Sequence, residues 1–412
     1  MKQIVNILKK FELNQYITVL LYGSIICATF NPLKSKIFLV IAGILWIKTI
    51  TQQDLKVFLS NKAVIFLLLY YFYNLLSFIW TEHTRFYYDW ISNNFYFFLL
   101  PFILFATIAT KKTIRTFTKL FLLTVFVNEI ISYGIELHLW LYPKDGFPVF
   151  FMNHIPYSVI ICLAILITYY ELLHSEDNKV IKFFYIVFLI TMTGNLVLSG
   201  GRTGQVTLIA SLIIYFLWAL NKKHRKHIIT TFVLLIGMFT IAYFSFPQFQ
   251  QRTKDIYIDI NQAISQQNYN TSVGNRLLSY VIAVKFIEHK DIIFGEGTGM
   301  TNSIKNQLLQ KYFPDKKLNA YHYTHLHQYY LNTFVETGLI GLFLFFSFIY
   351  FLAKIDTHNN EMHNIKIILI AVILISDMFD RIMLVRTTML AFSLFAGLII
   401  ASAKIKLQGN KI

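Results

Sequence analysis

The sequence has few charged residues and only two cysteines, and each shortage excludes a class of protein. Charged residues make up 14% of the chain, whereas soluble domains average about 25%, so a soluble globular enzyme is excluded. Cys27 and Cys162 both lie within apolar runs, so no disulfide framework is expected. The remaining composition is 56% hydrophobic over 412 residues, which predicts an integral membrane protein.

Three further features are absent or uninformative. The chain shows no internal repeat of the kind from which transporters with inverted halves are built. The net charge of +16 does not indicate nucleic acid, because Lys and Arg collect in the cytoplasmic loops of multi-pass proteins. A cleavable signal peptide is not expected, because the basic start "MKQIVNILKKFELNQ" leads into an apolar run of full spanning length.

The apolar runs predict an all-α integral membrane protein with about 12 transmembrane helices and one large periplasmic loop that contains short helices. Helices satisfy their own backbone groups in lipid, and these runs are too long for barrel strands. The runs lie near 15–33, 36–50, 62–80, 91–110, 116–134, 153–172, 181–199, 203–220, 227–247, 336–354, 365–382 and 386–404.

Basic loops predict the orientation. The segments "KQIVNILKK", "KKTIR", "KKHRK" and "KIKLQGNK" alternate onto one side, which the positive-inside rule makes the cytoplasm. Three parts follow: N-terminal transmembrane helices (1–246), a periplasmic loop (247–326) and C-terminal transmembrane helices (327–412). Within the loop, "NRLLSYVIAVKFIEH" predicts an amphipathic helix. "FGEGTGM" predicts a turn, since it lacks the Lys-Ser/Thr of a phosphate-binding loop.

Two arginines on the predicted outer side are candidates for phosphate binding. Arg202 follows glycines in "LSGGRTGQ", and Arg276 opens the amphipathic helix. A guanidinium forms a charge-assisted fork that matches phosphate oxygens. The alternatives are an interfacial Arg202 that reaches lipid headgroups and a solvated Arg276 in the loop.

The segment "THLHQYYLNTFVETGLIG" places histidines at the entrance to a predicted span. His325 and His327, if helical, would point about 200° apart and could not line one pocket. Together with His322 they form H-x2-H-x-H, a spacing open to metal binding, but no carboxylate or cysteine nearby completes a site and no metal is expected. On a helix, His327 would share a face with the apolar residues that follow it, where a neutral imidazole can act as a base. Glu336 would lie on roughly the opposite side, as a supporting group.

The C-terminal "SDMFDRIMLVRTT" places Asp377, Asp380, Arg381 and Arg386 at the predicted outer end of the last two helices. Ionisable groups at such positions are functional candidates. A structural ion pair between Asp380 and Arg381 is the alternative, and we expect at most a supporting role for both.

The order of these elements resembles the O-antigen ligase / O-antigen polymerase superfamily of bacterial glycan-transferring membrane proteins. The resemblance rests on "LSGGR", on "GNR" and "IIFGEGTGM" in the large loop, and on "HQYYLNTFVETGLIGL", and it covers about 198–342. The family signature H-N-x-Y-L…E-x-G-L-x-G enters a membrane helix after a periplasmic loop. Gln328 stands where the family often has Asn, which keeps the amide.

The resemblance implies a metal-independent glycosyltransferase without cofactors in the bacterial inner membrane, with its active site facing the periplasm. Its donor would be an undecaprenyl-diphosphate-linked glycan and its acceptor a glycolipid such as lipid A–core, in lipopolysaccharide biosynthesis. By the match of positions, His327 would be the catalytic base, and Arg202 and Arg276 would bind the diphosphate. His325, Glu336, Asp380 and Arg381 would be supporting residues.

Two alternatives to O-antigen ligation remain open. The first is a polymerase that joins lipid-linked repeat units, since the same spans, loop and residues serve either reaction. The second is a flippase or other transporter of lipid-linked oligosaccharides, which would have a central polar cavity and no dominant outer loop.

Overall fold

The structure is a computed structural model, and part of the chain is described. The described residues are 2–82, 84–140, 147–149, 152–174, 178–218, 233, 236–237, 239–241, 243–245, 247–288, 291–314, 317–357 and 360–409.

Every long regular element in these ranges is a helix, as the sequence predicts. The α-helices are α1 (Lys2–Phe30), α2 (Pro32–Ile47), α3 (Gln52–Leu59), α4 (Lys62–Leu76), α5 (Arg85–Asn94), α6 (Leu100–Ile108), α7 (Lys111–Glu136), α8 (His154–His174), α9 (Lys179–Leu198), α10 (Arg202–Trp218), α11 (Pro247–Ser265), α12 (Ser272–Ile287), α13 (Thr301–Tyr312), α14 (Tyr329–Ala353), α15 (Asn360–Phe379) and α16 (Arg386–Gly409). A π-helical turn (Phe95–Leu99) joins α5 to α6. Three short 3₁₀ turns cover Ser77–Ile79, Asn319–His322 and Ile382–Leu384.

Eight of the described helical segments are long and apolar enough to cross a membrane. They are Glu12–Phe30, Lys62–Ile79, Arg85–Ile108, His154–His174, Lys179–Leu198, Tyr329–Ala353, Asn360–Phe379 and Arg386–Ala403. Each corresponds to one of the 12 predicted spans. The other four predicted spans fall in α2, α7, α10 and 227–247; α2 has 16 residues, and most of 227–247 and the basic segment 222–226 lie outside the described residues. The protein is therefore a multi-pass membrane protein, and a total of 12 spans stays a prediction.

The bundle has two central helices and a lipid-compatible exterior. The spans in α8 and α16 have the largest buried shares, and those in α1, α4 and α9 have the smallest. The exposed side chains of the outer helices are large and apolar, as Phe183 and Phe184 on α9 illustrate. In lipid such side chains need no protein partner, so the amphipathic pattern of soluble helices is absent from these faces.

Residues 247–328, which we call the cap, fold into α11, α12 and α13 and the segment that follows them. The predicted amphipathic helix is confirmed as α12. Apolar side chains of α12, α13 and the start of α14 form a hydrophobic cluster separate from that of the bundle. Leu278 and Phe286 on α12 and Leu309 on α13 are among its buried members. The cap thus has its own core, and its periplasmic location stays a prediction.

A loop of the cap inserts into a break in α14. Gly338 interrupts this helix with φ 61° and ψ −159°, a conformation in which residues other than glycine are strained. The break frees backbone groups, and the loop 291–299 pairs with them. Leu339 N–H donates to the Ile292 carbonyl at 2.9 Å, and Gly297 N–H donates to the Glu336 carbonyl at 2.8 Å.

The glycines of "FGEGTGM" form a turn, as predicted, and the insertion explains the first of them. Gly295, Gly297 and Gly299 all have positive φ. A Cβ on Gly295 would lie 2.5 Å from Gly338 N, so the two chains approach too closely for a side chain. The turn therefore anchors the cap to a membrane helix.

Candidate active site

A cavity of about 910 Å³ lies between the cap and the bundle. Its walls come from the cap, from the starts of α8 and α16, from α5, and from the turn between α15 and α16. Six of the seven predicted site residues line it: Arg276, His325, His327, Glu336, Asp380 and Arg381. The seventh, Arg202, lines a neighbouring cavity.

His325 and His327 lie in a non-helical segment that precedes α14. The helix begins at Tyr329, and Gln328 caps it by accepting the N–H of Leu331. The predicted helical face shared by His327 and later residues is therefore wrong. The prediction that His325 and His327 cannot line one pocket is wrong as well, since their ring centroids are 5.0 Å apart.

Side chains from neighbouring elements fix the backbone of this segment. Ser279 on α12 accepts the N–H of His327 at 3.0 Å. Asn332 on α14 accepts the N–H of Leu326 at 3.1 Å and donates to its carbonyl at 2.7 Å. His327 is thus positioned by hydrogen bonds to its own backbone and to that of its neighbour, and a segment without regular structure acquires a defined geometry.

Lys305 on α13 is a buried cation that the sequence did not indicate. Its ammonium donates to the Ala320 carbonyl at 2.5 Å and to the Tyr323 carbonyl. Burial lowers the pKa of Lys305 to about 8. A charged amine binding two carbonyls satisfies groups that the irregular backbone leaves unpaired, so Lys305 ties the histidine segment to α13.

The surroundings of both histidine rings favour the neutral imidazole. Burial lowers the pKa of His325, and the positive charges of Arg381 and Lys305, together with that of His327 whenever its ring is protonated, lower it further. Burial also lowers the pKa of His327; Asp380 opposes this effect, and Arg276, Arg381 and Lys305 add to it. Within the described part of the chain, His325 Nδ1 and His327 Nε2 have no hydrogen-bond partner. A neutral imidazole can accept a proton, which a general base requires.

Arg276 is held in place by the turn after α15. Its Nε donates to the Phe379 carbonyl at 2.9 Å. Nη1 donates to the carbonyl and hydroxyl of Ser272, at 2.9 and 3.0 Å. Nη2 lies 3.4 Å from Asp380 Oδ2 in an ion pair. The guanidinium is therefore oriented before any ligand binds.

Arg381 shares the cavity but lacks such contacts. The Asp380 carboxylate pairs with Arg276 and accepts the backbone N–H of Arg381 at 2.8 Å. Among the described residues, none forms a hydrogen bond or ion pair with the Arg381 guanidinium. Burial lowers its pKa, and the charges of Asp380 and Glu336 oppose that effect. The side chain of Asp380 therefore pairs with Arg276 and not with Arg381, as the alternative had it. The N–H groups of the Arg381 guanidinium keep their capacity to donate hydrogen bonds.

Glu336 faces the same cavity as His327, although the helical spacing predicted opposite sides. The spacing does not apply, because His327 precedes the helix. The Glu336 carboxylate accepts the hydroxyl of Thr301 at 2.8 Å. Thr301 begins α13 immediately after the glycine turn, so Glu336 connects the turn to the cavity wall.

Arg202 lies in an adjoining cavity of about 230 Å³ together with Arg252. Its Nη2 is 3.9 Å from Asp255, and its Nη1 has no hydrogen-bond partner among the described residues. Burial lowers the pKa of Arg202; Asp259 and Asp255 oppose this, and the charge of Arg276 adds to it. The two predicted phosphate ligands therefore lie within electrostatic range of each other, although they line different cavities.

The glycines on either side of Arg202 permit close helix packing. A Cβ on Gly201 would lie 2.2 Å from the Ser158 side chain, and one on Gly204 would lie 2.4 Å from the Ser158 carbonyl. Arg252, whose importance the sequence did not indicate, donates to the Gly200 carbonyl at 2.7 Å. The start of α10 is thereby fixed against α8 and α11.

No group of three or more His, Cys, Asp or Glu side chains comes together as a metal site in the described ranges. The H-x2-H-x-H spacing does not form one there, since His322 is exposed and does not line the cavity. Metal independence stays a prediction.

Comparison with known proteins gives a family for the central part of the chain. Residues 187–346 match the family described as O-antigen ligase, which confirms the resemblance predicted from the motifs. A protein of Haemophilus influenzae, described as an uncharacterized protein, is 29% identical over 209 residues. The alignment covers 48% of this chain and 50% of the relative, so the chain spans about half the length of the curated relative it matches.

Proposed function

We propose, on the premise that residues 187–346 match the O-antigen ligase family, that this protein is a membrane glycosyltransferase. It transfers a glycan from undecaprenyl diphosphate to a hydroxyl acceptor at the periplasmic face of the bacterial inner membrane. The acceptor that we favour is lipid A–core, which makes the reaction O-antigen ligation in lipopolysaccharide biosynthesis.

The observation that carries the proposal is the pairing of neutral histidines with arginines in one cavity. His327 and His325 lie beside Arg276 and Arg381 between the cap and the bundle. Acid–base transfer of a glycan needs a neutral base near cations that stabilise the leaving group. The cavity supplies both, and it adjoins the membrane spans from which a lipid-linked donor would enter.

In the proposed reaction, His327 takes the proton from the acceptor hydroxyl. The hydroxyl oxygen then attacks the anomeric carbon, and the bond between that carbon and the diphosphate oxygen breaks. The diphosphate leaves with the bonding electrons, and Arg276, Arg381 and Arg202 stabilise its charge. A single displacement inverts the configuration at the anomeric carbon and uses no cofactor.

Donor binding would adjust the basicity of the histidine. Without ligand, burial and the surrounding cations lower the pKa of His327. A bound diphosphate brings negative charges that raise the pKa of a nearby imidazole. The base therefore becomes stronger when the donor is in place, which couples proton transfer to donor binding.

The second candidate function is polymerisation of lipid-linked repeat units. The same cavity would bind the diphosphate of one lipid-linked glycan while another supplies the hydroxyl. The two functions differ only in the acceptor, so an assay with defined acceptors separates them.

The test is transfer by the purified protein in detergent, supplied with an undecaprenyl-diphosphate glycan in the presence or absence of lipid A–core. Wild type should form a core-dependent product, and His327→Ala should lose at least about 100-fold in rate, the lower range for general base catalysis. His322→Ala is the matched control, because this exposed histidine lies outside the cavity.

Each outcome has a distinct meaning. Longer glycans on undecaprenyl diphosphate without the core would establish the polymerase. Robust transfer by His327→Ala would refute the assignment of the base. Absence of product with either acceptor would contradict glycan transfer and favour a transporter.

A further inference from the structure

A second wall of the large cavity carries an arginine that the proposed mechanism does not use. This wall is formed by α5 and α16 with the start of α2, and it includes Asn93 and Arg386. Arg386 Nε donates to Asn93 Oδ1 at 3.0 Å. Within the described part of the chain this is the one hydrogen bond of the Arg386 side chain, so its terminal N–H groups remain as donors at the cavity surface.

A lysine lies within electrostatic range of Arg386. Lys36 on α2 is 3.4 Å from the Ser92 hydroxyl, and Ser92 is the neighbour of Asn93 along α5. The Lys36 ammonium also lies 4.8 Å from the centre of the Tyr96 ring. Ser92 and Asn93, successive residues of α5, thus contact two like charges, Lys36 and Arg386. These charges repel each other unless an anion lies between them or nearby.

The nearby carboxylate does not neutralise the pair. Asp89 lines the same wall and attracts Lys36, but it also lies 3.5 Å from Arg85 on the exposed side of α5. Lys36 and Arg85 do not themselves line the cavity. Together with Arg386, however, they outnumber this one carboxylate, so the region around the wall has a net positive charge. Apolar side chains lie beside it, namely Phe86, Trp90 and Met389. A cationic group next to apolar surface, at the edge of the membrane spans, fits the phosphate of a lipid.

We infer that this wall binds the phosphate of a second lipid, the acceptor, while the Arg276 side of the cavity holds the donor diphosphate. The inference rests on the proposed function, in which one cavity must hold two lipid-borne substrates at once. Both candidate acceptors, lipid A–core and a lipid-linked repeat unit, carry phosphate. The subsite therefore serves ligation and polymerisation alike.

The kinetic test separates the two substrates. Initial rates of Arg386→Gln are measured against acceptor concentration at saturating donor, and against donor concentration at saturating acceptor. The acceptor KM should rise about tenfold, equivalent to the loss of about 1.4 kcal/mol, and the donor KM should stay within about twofold. Arg115→Gln, at an exposed position on α7, is the matched control and should change neither value. A rise in donor KM, or no change in either KM, would overturn the inference.

A binding test does not depend on transfer. Thermal unfolding of the purified protein is followed with dodecyl phosphate, with inorganic phosphate and with the uncharged detergent alone. Dodecyl phosphate should raise the Tm of wild type and of Arg115→Gln by the same amount and that of Arg386→Gln by less, because only the Arg276 side of the cavity still binds it; an equal rise in all three would overturn the inference. Equal protection by inorganic phosphate would mean a free-phosphate site and overturn the lipid assignment. If wild type binds dodecyl phosphate through Arg386 but transfers no glycan, the lipid site stands and the proposed function fails.

Discussion

Substitution of Gly338 by alanine tests whether the cap is anchored through the break in α14. A residue with a side chain at φ 61° and ψ −159° costs about 1–3 kcal/mol in backbone strain. Its Cβ would also lie 2.2 Å from the Ile293 carbonyl oxygen, so the loop must move away. The hydrogen bonds from Leu339 N–H to Ile292 and from Ile340 N–H to Ile293 would then weaken, at about 1 kcal/mol each. The expected loss of stability is about 3–5 kcal/mol.

The assay is thermal unfolding of Gly338→Ala in detergent, together with the rate of glycan transfer. We expect the Tm to fall by about 5 °C or more and transfer to fall with it, because the loop leads into the turn that holds Thr301 against Glu336. Gly237→Ala is the matched control: its Cβ would meet no described atom within 4 Å, and alanine favours a helix by about 1 kcal/mol. An unchanged Tm in Gly338→Ala would refute the inserted-loop explanation.

Two further predictions concern the histidine segment. The proposed base acts in its neutral form and the pKa of His327 is lowered, so the acid limb of kcat/KM should lie below about pH 6.5, the ordinary value. Arg381→Gln removes one of the charges that lower this pKa, so the limb should move to higher pH; an unmoved limb would separate Arg381 from the base. Lys305→Met leaves the carbonyls of Ala320 and Tyr323 without their donor, so kcat should fall about tenfold or more. Lys305→Arg keeps a charged donor and should recover part of that loss; equal loss in both variants would show that the amine's hydrogen bonds do not position the segment.

The helical fold could be predicted from the sequence because membrane spans are set by composition over about 20 residues. The eight spans found among the described residues all coincide with predicted runs. The break at Gly338 could not be predicted, since it depends on a loop about 45 residues earlier in the chain docking onto α14. The glycine turn at 295–299 was predicted as a turn, but its partner was not apparent from local sequence.

The residues of the candidate site could be predicted from the sequence, but their arrangement could not. Family motifs pointed to His327, Arg202 and Arg276, yet helical spacing wrongly separated the two histidines. The error arose because a spacing argument assumes a continuous helix, whereas Gln328 caps α14 and the chain before it is not helical. A capping residue ends the helical register, so spacing counted across it does not predict which side chains face each other.

Two basic residues of the site region, Lys305 and Arg252, were missed for a different reason. A single basic residue on a polar helix has no local pattern that distinguishes it from a solvated side chain. The roles of both residues depend on backbone carbonyls, those of Ala320 and Tyr323 for the lysine and that of Gly200 for the arginine. Only the folded chain brings these carbonyls to them.

The break at Gly338 also changes how the protein meets the bilayer. Beyond it, α14 continues from residue 339 to Ala353, and these 15 residues extend about 22 Å at 1.5 Å per residue. The hydrocarbon layer is about 30 Å thick, so this part does not cross it alone, and the residues of the same span before Gly338 complete the crossing. The break therefore lies within the span, where lipid offers an unpaired backbone group no water to bind. The loop 291–299 takes the place of that water, because its carbonyls accept the N–H groups of Leu339 and Ile340, so that an interrupted helix can remain in the membrane.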